Sequence, residues 1–128
     1  MVTRLYTHPI YLKHLTPPGH PERPDRLRAI ERILEDEAFA LLDRYEAPDG
    51  DRESILAVHP ESFVERVKAA IPQEGLSRID EDTTASPKSW QAALTAIGAA
   101  NAAVDDVFEE RAANVFVASR PPGHHAEK

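Results

Sequence analysis

The run Ala113-Asn114-Val115-Phe116-Val117-Ala118-Ser119 leads directly into Arg120-Pro121-Pro122-Gly123-His124-His125. An apolar run without polar alternation suits a strand covered on both faces, as in a parallel α/β sheet. Pro121 and Pro122 fix φ near −65° and donate nothing to a ladder, so the strand must stop there. Gly123 allows backbone angles closed to other residues and a close approach of main chain to a ligand. Two imidazoles follow at once. Ligands of open α/β sheets bind beyond the carboxyl ends of the strands. A stiff Pro-Pro-Gly turn at that edge is therefore where His124 and His125 could do acid/base chemistry. A bare His-His pair would more often be a surface accident.

At 128 residues the chain fits one domain, and 41% hydrophobic against 29% charged residues allows a packed core. The net charge of −7 argues against direct nucleic-acid binding, which needs a basic face. Cysteine is absent, so there is no disulfide, thiolate nucleophile or zinc–cysteine site; this fits a cytoplasmic protein. No stretch approaches the ~20 apolar residues of a membrane span, and no membrane association is expected.

From the N-terminus, Val2–Thr7 reads as a strand and His8–Pro24 as a proline-rich loop. Loops of that length are often functional, although a surface arm fits as well. A helix is expected from Pro21 to Asp36, with Leu27, Ile30, Ile33 and Leu34 as its apolar stripe. Asp51 caps a short helix, and another carries Phe63, Val64, Val67 and Ile71. Gln73–Ser86 is polar. Its Asp80-Glu81-Asp82 cluster lacks EF-hand spacing and is expected to be solvated. The longest helix should open with Ser86 as N-cap and Pro87 at N1 and run to about Arg111. Its core stripe would be Trp90, Ala93, Leu94, Ile97, Ala100, Val104, Val107 and Phe108, with small residues allowing close approach to a sheet. The tetrapeptide Pro-Pro-Gly-His occurs at 17–20 and again at 121–124. Without a supporting period this reads as chance.

Arg120–Ala126 resembles the signature of the histone deacetylase and acetylpolyamine amidohydrolase superfamily, nearer its bacterial and class II-like branch. His20-Pro21-Glu22-Arg23-Pro24-Asp25-Arg26-Leu27 is similar to the family's early loop-to-helix segment. Asp82–Leu94 is similar to the opening of its long helix. The likeness covers nearly the whole chain, in the family's order.

The resemblance implies a three-layer α/β/α arginase-deacetylase fold around a parallel sheet. Residues 1–128 would be the N-terminal portion of a single deacetylase domain. It implies a Zn2+ cofactor whose ligands, two aspartates and a histidine, lie downstream, with no metal ligand in this chain. The substrate would be an acetylated amine, acetyl-lysine or acetylpolyamine. His125 would be general base and then acid, with His124 its electrostatic neighbour. In extended chain the two rings would point to opposite sides. Arg26 matches the family's arginine near an internal channel, although a surface role is open to it. The loop bearing His20 would form the pocket rim, with Pro122 and Gly123 lining the pocket. His8, His14 and His59 are expected to be structural or exposed. The chain alone is expected to be inactive and marginal, with self-association as a homo-oligomer or aggregate. A non-catalytic interaction module is the alternative. A serine hydrolase is disfavoured, because no Gly-x-Ser-x-Gly elbow is present.

Overall fold

The structure, a computed structural model, describes residues 1–125; Ala126, the last residue of the sequence signature, lies outside them. Three parallel strands form the main sheet, β1 (Thr3–Thr7), β2 (Asp43–Glu46) and β5 (Asn114–Val117), in the order β2-β1-β5. Leu5 pairs with Arg44 on one side and Phe116 on the other, so the first strand of the chain is central. Parallel neighbours need crossover connections. From β1 to β2 the crossover is α1 (Pro24–Leu34). From β2 to β5 it contains α2 (Arg52–Leu56), α3 (Glu61–Ala70), the antiparallel hairpin β3 (Ser77–Asp80) and β4 (Thr83–Ala85), and α4 (Ser89–Phe108).

Side-chain alternation along β1 assigns its two faces. The Tyr6 hydroxyl donates to Asp106 of α4 at 2.7 Å, and Arg4 pairs with the same carboxylate at 2.9 Å. On the other face the Thr7 hydroxyl reaches Glu31 of α1. Helix, sheet and helix therefore stack in three layers around β1. The core joins Leu5, Tyr6 and Ala118 of the sheet region to Leu27 of α1 and Ala92 and Ala99 of α4.

Several local expectations are corrected. Helix α1 starts at Pro24 rather than Pro21, because the Glu22 N–H donates to His20 Nδ1 instead of entering a helical turn. Helix α4 starts at Ser89. The Ser86 N–H donates to Ser89 Oγ, and the Ser86 hydroxyl is taken by Leu15 N and Lys13 O of the β1–α1 loop. The packed face of α4 is the small-residue one, Ala92, Thr95, Ala99 and Asp106. Val104, Val107 and Phe108 are exposed, Phe108 by 84%. Ala92 and Ala99 share one core cluster with Tyr6, and Val115 and Val117 pack against it. Gly98 meets the Pro48–Gly50 turn rather than the sheet, where Gly50 N donates to Leu94 O.

Residues 77–85, within the polar stretch to which the sequence assigns no element, form the β3–β4 hairpin. Strand β5 is less covered than its apolar sequence implied. Phe116 is 47% exposed, and among the described residues β5 pairs with β1 only. No helix of the described residues is long and apolar enough to cross a membrane.

Candidate active site

The strands are parallel, so their carboxyl ends share one edge. The loops after β1 and β5 both leave from it. His8 accepts from Ile10 N at 3.0 Å and caps a 3-10 turn over Pro9–Lys13, which turns Ile10 and Tyr11 inward. The Thr16 hydroxyl donates to Glu22 O at 2.6 Å and closes the rest of the loop.

Arg120 locks the two loops together. It is 1% exposed and is among the largest fully buried side chains. Its Nε and Nη2 donate to the two Glu22 carboxylate oxygens, each at 2.8 Å. Its Nη1 donates to the carbonyls of Tyr11 and His14, each at 2.7 Å. A two-pronged guanidinium–carboxylate pair adds directional precision to its charge. Burial opposes the Glu22 charge, but the Arg120 hydrogen bonds outweigh it and hold the carboxyl below its usual range. His14 lies beside this pair, buried, with Nδ1 2.6 Å from Ser89 Oγ. Burial, then the Arg120 charge, lowers its pKa to about 4, so the ring is neutral at pH 7.

Arg120 starts the elbow. The Arg120–Pro121 peptide is cis, Pro122 and Gly123 follow, and the chain turns at His124 and His125. His125 Nε2 lies 3.1 Å from Asp82 Oδ2, and His20 Nε2 lies 2.9 Å from Asp82 Oδ1. The Glu22 N–H donated to His20 Nδ1 fixes the hydrogen of a neutral His20 on Nε2, which therefore donates to Asp82. Hydrogen bonding from His20 holds the Asp82 carboxyl below its usual range. In return, Asp82 raises the His20 pKa. The ionised carboxylate only accepts, so His125 also donates through Nε2. The hairpin turn that carries Asp82 is itself braced: Asp82 N donates to Asp80 Oδ1, and Arg78 donates to Asp80 O and Glu81 O.

His20, His124 and His125 are thus brought to one edge. The two neighbouring rings do not diverge: their centroids are 4.4 Å apart, because residues 124 and 125 occupy a turn rather than extended chain. Gly123 has no left-handed φ, and a side chain there would meet nothing within 4 Å, so neither angle nor crowding among the described residues demands glycine. Pro122 is exposed. Arg26 lies on the solvent side of α1, 53% exposed, with Nη1 3.0 Å from Glu22 Oε1. Of the remaining histidines, His59 stacks on Phe63 at 4.8 Å, away from the elbow.

Sequence reasoning missed Asp82, treated as solvated, and the Glu22–Arg120 pair. The second Pro-Pro-Gly-His stretch was a usable signal, since the two copies flank this site: His20 ends one, and His125 follows the other. A groove lined by Pro17, His20, Leu76, Arg78, Glu81, Asp82 and Thr84 runs alongside. Among the described residues no group of three or more His, Asp or Glu side chains is arranged to hold a metal ion. What the edge offers is proton transfer: two adjacent imidazoles, one of them anchored to a carboxylate.

Comparison with known proteins gives a consistent picture. Residues 20–128 match the family described as histone deacetylase domain. A probable deacetylase of Archaeoglobus fulgidus is 37% identical over 133 residues, an alignment covering 99% of this chain and 36% of that protein. A histone deacetylase-like amidohydrolase of Pseudomonas aeruginosa is 36% identical over 108 residues, covering 84% of this chain and 28% of that protein. The crystal structure of the HDA15 HD domain superposes with a TM-score of 0.88 at 32% identity, covering 98% of this chain and 37% of that one. The chain spans about a third of the length of these relatives.

Proposed function

The chain belongs to the histone deacetylase domain family, and on that premise we propose that it is the N-terminal portion of a zinc-dependent deacetylase domain. The substrate would be an acetylated amine, acetyl-lysine or acetylpolyamine. The observation that carries this reading is the placement of His124 and His125 beyond the carboxyl end of β5, with His125 held by Asp82.

The chemistry assigned to this chain's own residues is proton transfer, carried by the paired imidazoles and Asp82. With its hydrogen on Nε2, a neutral His125 has Nδ1 as its basic nitrogen. It takes a proton from the water that adds to the acetyl carbon. Asp82 stabilises the imidazolium so formed. The ring then returns the proton to the amine nitrogen as the C–N bond breaks, giving acetate and free amine.

The test is acetate release from an acetyl-lysine peptide and an acetylpolyamine by the full-length protein. Chelation should abolish it, and His125→Ala should lower kcat by about 100-fold or more. Undiminished turnover in His125→Ala would refute the assignment. The 128-residue chain assayed alone is expected to bind no stoichiometric zinc. Turnover by that piece would favour a site other than the one proposed.

A further inference from the structure

Glu22 meets the histidine elbow by two routes. Its carboxylate grips the buried guanidinium of Arg120, the first residue of the elbow, through two hydrogen bonds. Its backbone N–H fixes His20, which donates to the carboxylate that also holds His125. Between the anchored Arg120 and His124 stand only three residues, two of them prolines of fixed φ, so the rings lie close in sequence to the anchor. Arg120 also crosslinks the elbow to Tyr11 and His14 in the β1–α1 loop.

We propose that Glu22 is a positioning residue, holding His124 and His125 in their working place through Arg120 and through the His20–Asp82 contact. The proposal rests on the deacetylase reading above. Glu22 touches no reacting atom in this scheme. A positional error of about 1 Å at reacting groups can lower a rate 100-fold, so the effect should appear in turnover more than in substrate affinity.

The experiment compares full-length wild type, Glu22→Gln and Tyr6→Phe. Glu22→Gln keeps the shape and the backbone N–H but removes the charge and one acceptor. Tyr6→Phe removes a buried hydrogen bond on the α4 side of β1, away from the elbow, and controls for general loss of stability. At a temperature where all three are folded, Glu22→Gln should lower kcat at least about tenfold with KM changed by less than about threefold, while Tyr6→Phe stays within about twofold.

A second readout needs no activity. In histidine-labelled protein, the His124 and His125 ring resonances should shift in Glu22→Gln and hold in Tyr6→Phe. Unshifted rings, or an equal fall of kcat in both variants, would overturn the proposal. Shifted rings in a protein that releases no acetate would uphold the positioning and sink the deacetylase reading instead. If Glu22→Gln does not fold, Glu22→Asp, which keeps the charge and shortens the reach, is judged by the same criteria.

Discussion

His20 and His125 share one carboxylate: each imidazole places its Nε2 about 3 Å from a different oxygen of Asp82. The two histidines come from loops at opposite ends of the chain and meet because β1 and β5 are parallel neighbours.

Asp82→Asn tests that sharing. The charge that raises the His20 pKa disappears, so His20 should titrate closer to an ordinary histidine. NMR titration of the ring measures this directly. The site is exposed, so the melting temperature should barely move. An unchanged His20 titration would mean that the contact does not exist in solution.

Acid sensitivity should reside largely in His14. Its folded pKa is lowered from 6.5 to about 4 by burial, so as pH falls the unfolded chain takes the proton first. Stability from this group is complete above pH 6.5 and is lost on descending toward pH 4, by roughly 3 kcal/mol at most. Glu22, also depressed, adds to the loss only below the ordinary carboxylate range. Urea unfolding at pH 7, 5.5 and 4.5 should show the decline. His14→Gln should flatten it, and parallel profiles would contradict the assignment.

The Asp106 hub is a second buried polar commitment. Asp106 is 2% exposed and receives Tyr6 Oη, Arg4 and Arg111. Tyr6→Phe should cost about 1.5–3 kcal/mol, as for a hydrogen bond to a charged group. Asp106→Ala should cost more, because it leaves Arg4 and the Tyr6 hydroxyl without their shared partner. Denaturant midpoints give the order, and the reverse order would rule the hub out.

Two glycines should behave oppositely. A methyl at Gly98 runs into the backbone of Pro48 and Asp49, which cannot move aside cheaply. Gly98→Ala should therefore cost about 1–3 kcal/mol or more. Gly123→Ala meets open space at an ordinary φ and should change stability by less than about 0.5 kcal/mol. Thermal melts of the two variants settle both.

The strands and helices that fill the core were legible because their signals are local. The Val115–Val117 run before two prolines announced β5, and Asp51 announced the cap that Ser54 N uses. The paired histidines were equally plain. What escaped depends on contacts distant in sequence. Nothing near Asp82 says that its oxygens will face His20 and His125. The period of α4 offers two apolar stripes, and the helix sequence by itself does not say which one meets the sheet. The β3–β4 hairpin is short, its first strand is largely exposed, and neither strand shows the alternation that marks a half-buried strand.

The central position of the first strand has a consequence for biosynthesis. Thr3–Tyr6 finds its second neighbour in Asn114–Val117, with both crossovers lying between the two in sequence. Ribosomes must therefore translate as far as Val117 before β1 can gain both its flanks. Until then one side of it stays open to chaperones, or to the edge of another nascent chain.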